Sequence, residues 1–173
     1  MYRAAGDYTI VARVSDSAGK VTTMRRSIVV QDASGNVAAG SGRLMSPAGA
    51  NRLLPHHAGP ASFSFIGPAA QGAAGTLQFA TAGLAFRGTG MRVLPAAQGM
   101  RRLTGEGLLN GKRGYQVRLT VSAGSGGAAD RLGLRIWHSD PVSKAVIVDY
   151  DNEAAGGGRQ GVQLTEGAIA AAP

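Results

Sequence analysis

The chain has 173 residues, of which 27 are glycine and none is cysteine, and it carries a formal net charge of +8 at pH 7. The lack of cysteine excludes disulfide bonds and thiolate metal sites, and no apolar run reaches the roughly 20 residues that a membrane-spanning helix requires. The basic charge favours weak attraction to polyanions, but the arginines are scattered and only 5% of the residues are aromatic, which argues against a specific nucleic-acid interface.

The first predicted element is a β-hairpin within residues 6–32. Apolar and polar residues alternate with a period of two over residues 8–15 and again over residues 24–30. Residues 15–20, which join the two runs, are rich in turn formers. Because a two-stranded sheet is marginally stable alone, we expect the hairpin to be protease-labile or to drive self-association through its open edges.

The hairpin also carries a family pattern made of Gly6, Tyr8, Ile10, Val14, Asp16 and Gly19. With this pattern it resembles the last two strands of a PKD domain, an immunoglobulin-like module of bacterial secreted and surface proteins. The resemblance implies that residues 1–32 end such a domain and that earlier strands precede Met1 in the natural architecture. Residues 33–43, rich in glycine and small polar residues, are then expected to link it to a second domain at residues 44–173.

The second domain is predicted to contain seven or eight short strands separated by glycine-rich turns. The candidate strands lie at residues 61–66, 76–80, 84–87, 101–109, 115–121, 132–137, 146–150 and 168–170. This pattern predicts an all-β fold, an antiparallel β-sandwich or barrel-like module. The glycine-rich loop at residues 122–130 joins two of these strands. Phosphate-binding loops lie between a strand and a helix, so this loop is predicted to be only a hairpin connection.

Several short segments of this domain occur in the same order as in a known family of modules. They include Asn110-Gly111, Asp130, Trp137 and Tyr150-Asp151-Asn152. Over residues 40–170 the chain resembles a β-rich, post-COAP-type module found at the C-terminus of secreted bacterial proteins. It departs from the usual pattern where Leu132 and Gly133 replace a phenylalanine and an arginine, and where residues 140–147 lengthen a connection. The resemblance implies an extracellular or cell-surface location. That module has no established activity, so we expect a non-enzymatic structural or adhesion module.

Four side chains with oxygen ligands cluster at the end of the strand predicted at residues 146–150. They are Asp149, Asp151, Asn152 and Glu153. A period of two places Asp149 and Asp151 on one face, while the other two enter the following turn. Hard oxygen ligands suit calcium, which is the one cofactor that the sequence suggests. The alternative is a solvated acidic turn without metal.

A second candidate site lies on the strand predicted at residues 132–137. If one face of this strand packs in the core, the opposite face carries Arg131, Arg135 and Trp137. An exposed tryptophan beside arginines can stack on a sugar ring and hold an anionic glycan. A tryptophan in the core is the alternative. The second functional hypothesis is therefore a carbohydrate-binding accessory module, with a polysaccharide or another protein as its partner.

The sequence gives little support for catalysis. His56, His57 and His138 are expected to be separate, solvent-facing side chains, because nothing in their spacing makes them converge on a metal. There is no Gly-x-Ser-x-Gly motif. Residues 137–140 place histidine, serine and aspartate side by side in the sequence, without the folded geometry that a catalytic triad requires.

Overall fold

A computed structural model describes residues 6–30, 38–68, 74–96, 99–124, 128–158 and 161–170. The predicted hairpin is confirmed, with β1 (Gly6–Ser15) pairing antiparallel with β2 (Val21–Val30). Its turn is closed by Asp16, whose carboxylate accepts hydrogen bonds from the backbone N–H of Ala18 at 3.0 Å and of Lys20 at 2.9 Å. Gly19 has a φ of 81°, a backbone conformation that favours glycine.

Nine further strands form the second sheet. They are β3 (Ala39–Ser46), β4 (Gly59–Ile66), β5 (Gly75–Thr81), β6 (Leu84–Leu94), β7 (Arg101–Leu109), β8 (Lys112–Ser122), β9 (Arg131–Ser139), β10 (Val146–Asp151) and β11 (Val162–Ala170). The predicted linker at residues 33–43 overlaps β3, while residues 33–37 lie outside the described residues. A single π-helical turn, Glu153–Gly157, separates β10 from β11.

Eight of these strands close into an antiparallel barrel, which confirms the predicted all-β class in its barrel form. The strands follow the order β3 to β9 and then β11, and β11 pairs back with β3. β9 and β11 meet through only two residue pairs, at Leu132 and Arg131 of β9. Further along the same edge, from Arg135 to Ser139, β9 pairs instead with β10.

None of the helical structure in the described ranges has the length and apolar character needed to span a membrane.

The barrel interior is filled by inward-facing side chains that alternate along the strands. On β9, the predicted core positions Leu132, Leu134 and Ile136 are all fully buried. Together with aromatic and aliphatic residues of the other strands they form one core cluster, as expected for a small barrel whose lumen is packed. The outward positions of β9 therefore carry Arg131, Gly133, Arg135 and Trp137, as the alternation predicts.

The loop at residues 122–130 is a hairpin connection, because β8 and β9 pair along their length on either side of it. Residues 125–127 lie outside the described part of the chain. Asp130, at its end, accepts hydrogen bonds from the backbone N–H of Gly124 at 2.7 Å and of Ile169 at 2.6 Å. The aspartate thus connects this loop to β11, and its oxygens are used in holding the barrel together.

Candidate functional site

The polar residues singled out by sequence meet where β10 leaves β9. A β-bulge between Val148 and Tyr150 interrupts the alternation of β10. The prediction that Asp149 and Asp151 share a face is therefore wrong, because the inserted residue turns their side chains toward different partners. Tyr150, between them, is fully buried in the core, with its ring centroid 4.8 Å from that of Phe79.

Asp149 is buried between a histidine and an arginine. Its Oδ2 lies 2.6 Å from Nδ1 of His138, and its Oδ1 lies 3.9 Å from Nη1 of Arg52. The ring of Tyr115 packs against that of His138 with a centroid distance of 5.0 Å. The expectation that His138 faces solvent is wrong: its side chain is only 24% exposed, because it packs between its strand neighbours. His56 and His57 are exposed, as predicted.

Asp151 and Glu153 point to the outer face of the barrel, where each contacts an arginine. Asp151 Oδ2 lies 3.6 Å from Nε of Arg135, and Glu153 Oε2 lies 2.7 Å from Nη2 of Arg118. The three carboxylates among the candidate calcium ligands thus contact different basic side chains. Within the ranges that the structure describes, no three acidic, histidine or cysteine side chains are grouped so that they could hold a metal.

Asn152, the fourth candidate ligand, completes the hydrogen bonding of β9. It lies between the segments of β9 that pair with β11 and with β10. Its Oδ1 accepts a hydrogen bond from the N–H of Leu134 at 2.7 Å, and its Nδ2 donates one to the carbonyl of Leu132 at 3.1 Å. The side-chain amide thus takes the place of a strand neighbour. Because Asn152 is fully buried, these bonds satisfy backbone groups that water does not reach.

The candidate glycan residues are brought together on the outer face of β9. Trp137 is half-buried there, opposite Gln116 of β8 and Val148 of β10. The guanidinium of Arg135 lies 5.9 Å from the centroid of the tryptophan ring, within range of a cation–π contact. Arg131 is further away on this face, and its Nη2 donates a hydrogen bond to the carbonyl of Gly161 at 2.7 Å.

Tyr150 also anchors the barrel end through its hydroxyl group, which lies 3.0 Å from Oγ of Ser46. Burial of the phenol disfavours the charged phenolate and raises the pKa of Tyr150 to about 12, with the hydrogen bond to Ser46 acting in the opposite direction. The tyrosine is therefore a neutral part of the core near pH 7.

The contact of His138 with Asp149 is an arrangement that sequence reasoning missed. The two residues are eleven positions apart, and only the antiparallel pairing of β9 with β10 brings them together. A histidine oriented by a buried carboxylate is half of a catalytic triad. Within the described part of the chain, the structure shows no hydrogen bond from this histidine to a serine or threonine hydroxyl. Searches against protein-family models, curated proteins and solved structures found no match to this chain.

Proposed function

We propose that this chain is a non-enzymatic structural or adhesion module of a bacterial protein that is secreted or displayed at the cell surface. One observation carries the proposal: the polar side chains that the sequence singles out bond to strand backbone or to a basic side chain. Asn152 bonds to β9, Asp130 to β11 and Asp149 to His138. Groups used in this way strengthen a closed barrel. The extracellular setting is supported by the resemblances to PKD and post-COAP-type modules.

The strand edges of the barrel are paired or covered, which suits a structural spacer. Closure removes free edges from eight strands. The outer edge of β10 is covered by the loop before β4, through an Asn51–Tyr150 bridge and a hydrogen bond from Arg52 N–H to the Asp149 carbonyl. Protected edges reduce unwanted strand pairing between molecules, a property that suits a module placed in series with others.

A second candidate function is a carbohydrate-binding accessory module. Its support is the position of Trp137 on the outer face beside Arg135. A flat aromatic ring next to a hydrogen-bond donor is a common platform for a sugar ring. This candidate differs from the first in requiring a specific ligand.

A glycan array of neutral sugars, probed at physiological ionic strength, separates the two candidates. The structural function predicts no strong neutral ligand. Tight, salt-resistant binding to one neutral glycan would establish the lectin-like function instead, provided that it is lost in a folded Trp137→Ala variant. Val146→Ala, which truncates an exposed apolar residue on the neighbouring strand β10, is the matched control and should leave any binding unchanged.

A further inference from the structure

Several buried polar atoms without a hydrogen-bond partner gather on one part of the outer face. They include the Nε atoms of Arg102, Arg118 and Arg135 and the hydroxyl oxygen of Thr120. Buried polar groups in proteins are nearly always hydrogen-bonded, so a concentration of unsatisfied donors calls for a physical explanation. Three of the four groups belong to arginine side chains, and an oxyanion is the partner that would satisfy these donors best.

The strand register places these residues side by side. Thr120 on β8 lies directly opposite Arg102 on β7 and opposite Gly133 on β9. Arg118, two residues before Thr120, lies opposite Arg135. Directly opposite residues have Cβ atoms about 5 Å apart and diagonal ones about 7–8 Å, so Arg102 lies beside Thr120, and Arg118 and Arg135 lie one pair further along the same face. We name Arg102, Arg118, Arg135 and Thr120 the arginine cluster.

Thr120 supplies an independent observation. Val117, Leu119 and Val121 point into the core, so Thr120 points to the outer face, yet only 1% of its surface is exposed. A threonine in this position, with no partner for its hydroxyl group, loses the hydrogen bonds that water would give it. Valine would fill the same space without that cost. The hydroxyl group is thus a buried donor without a partner on the face that carries the three arginines.

One internal carboxylate already occupies part of this cluster. Glu153 contacts Arg118, and its side chain lies against Gly133, where any Cβ atom would collide with it. Asp151 contacts Arg135. Within the described residues, no carboxylate lies within salt-bridge distance of Arg102. The side-on, two-bond contact by which arginine binds oxyanions uses Nε and Nη2 together. Because Glu153 occupies Nη2 of Arg118, an oxyanion bound in this way would have to displace the Glu153 carboxylate.

We propose that the arginine cluster binds an oxyanion carried on a sugar, a sulfate ester or uronate carboxylate of an acidic polysaccharide. The bound group would displace the Glu153 carboxylate from Arg118 and take hydrogen bonds from the three arginines and from Thr120. Trp137 follows Arg135 on the same face of β9, where the sugar ring can stack while its oxyanion reaches the cluster. This inference goes beyond the structural function proposed above and rests on the second candidate, for whose Trp137–Arg135 face it specifies an acidic ligand.

The test measures calorimetric binding of heparin oligosaccharides and of oligogalacturonate at physiological ionic strength. The variant Arg102→Gln/Arg135→Gln is compared with Arg13→Gln/Arg87→Gln, which removes the same charge from exposed positions outside the cluster. We expect roughly tenfold weaker binding of at least one polymer in the cluster variant and about twofold or less in the control. Equal losses in both variants would show that only net charge acts, and would overturn the proposal.

Two single variants test the mechanism without removing an arginine. Glu153→Gln takes away the competing carboxylate, so binding should become several-fold tighter. Thr120→Val should weaken binding while leaving the unfolding midpoint unchanged or higher, since it removes an unsatisfied hydroxyl group. No gain of affinity in Glu153→Gln would count against the site.

Two further probes identify the source of the oxyanion. Sodium sulfate should bind much more weakly than either polymer, and a DNA duplex should bind no differently to the cluster variant and its control. Saturation by sulfate alone would reassign the cluster to a free anion. Cluster-dependent binding of DNA would reassign it to nucleic acid. Either result overturns the proposal of an acidic polysaccharide.

Discussion

Asn152 shows how a single side chain can substitute for a missing strand neighbour. We predict that Asn152→Leu lowers the free energy of unfolding by about 2–4 kcal/mol, because it leaves the Leu134 N–H and the Leu132 carbonyl buried without partners. Equilibrium unfolding in urea measures the change.

Asn110 provides the matched control for this prediction. Its side chain makes the same pair of backbone bonds, to Ala85 N–H and the Gly83 carbonyl, but at an exposed site. Its φ of 49° suits glycine, so Asn110→Gly introduces no strain. Water can replace the lost bonds there, and the loss should be smaller, about 1 kcal/mol. Equal losses in the two variants would show that burial of Asn152 is not what matters.

Calcium gives a second prediction at the scale of single residues. The carboxylates of Asp149, Asp151 and Glu153 already contact cationic or histidine side chains. We therefore expect saturating calcium to change the melting temperature by less than about 1 °C relative to protein treated with a chelator. A bound ion at 100 times its Kd would add about 2.7 kcal/mol, which is several degrees for a domain of this size. A rise of that size, abolished by Asp151→Asn, would contradict the expectation.

The candidate site was only partly predictable at this scale. The period of two correctly placed Arg131, Arg135 and Trp137 opposite the core residues of β9. The same period predicted the wrong face for Asp149, because a single inserted residue on β10 forms a bulge. No local sequence pattern predicts that bulge. The contact of Glu153 with Arg118 spans 35 positions. Contacts of that kind depend on how strands are arranged and not on spacing along the chain.

At the scale of elements, the strands with clear alternation were predicted and two others were not. β3 was assigned to a linker because residues 39–43 contain two glycines and a serine. Those glycines serve close packing: a Cβ atom at Gly42 would collide with the carbonyl of Glu166 on β11. β11 was predicted only at residues 168–170, since an irregularity between Leu164 and Glu166 breaks its alternation. Glycine and bulges thus conceal strands that tertiary pairing stabilises.

At the scale of elements, we predict that the N-terminal hairpin is the first part of the chain to be cut by a protease. It forms a separate sheet of two strands, and Val14 and Met24 are about two-thirds exposed, at 67% and 66%. We expect limited trypsin digestion to cut first at Arg13 or Lys20, since a two-stranded sheet opens easily. Intact-mass spectrometry of the time course should show loss of the hairpin before any cut within the barrel.

A truncated chain that starts at residue 33 is the companion experiment. If the hairpin is an independent element, the truncated chain should melt within about 5 °C of the full chain, equivalent to roughly 1–2 kcal/mol. Loss of cooperative unfolding in the truncated chain would show instead that the hairpin belongs to the folding unit of the barrel.

At the scale of the whole molecule, closure of the barrel could not be predicted from the pattern of strands. Sandwiches and barrels share the same alternation, because each buries one face of every strand. Closure depends on pairs far apart in the chain, such as β11 with β3. The hydroxyl groups of Ser46 and Tyr150, 104 positions apart, meet only in the closed form. Tyr150 is therefore a suitable probe of the closed barrel.

The contribution of Tyr150 to the closed barrel can be measured through the pH dependence of global stability. The isoelectric point of the chain is about 10.8, so its positive charge falls toward zero as the pH rises from 7 to that value. Self-repulsion then decreases, which favours the compact state. Ionisation of buried Tyr150 acts in the opposite direction. A measurement that separates the two effects must compare the protein with a variant that lacks only the ionisable hydroxyl group.

We predict that the protein loses stability between pH 10 and pH 12 and that Tyr150→Phe does so to a smaller extent. The pKa of Tyr150 rises from 10.0 to about 12 on folding, because burial disfavours the phenolate. The unfolded chain therefore loses this proton first. The contribution to stability is fully present below pH 10 and disappears as the pH passes 12. A rise of the pKa from 10.0 to about 12 corresponds to about 3 kcal/mol in the free energy of unfolding. Urea unfolding midpoints across this range, with tyrosinate absorbance recorded alongside, measure both processes. Parallel pH profiles for the two proteins would show that Tyr150 ionises without opening the barrel.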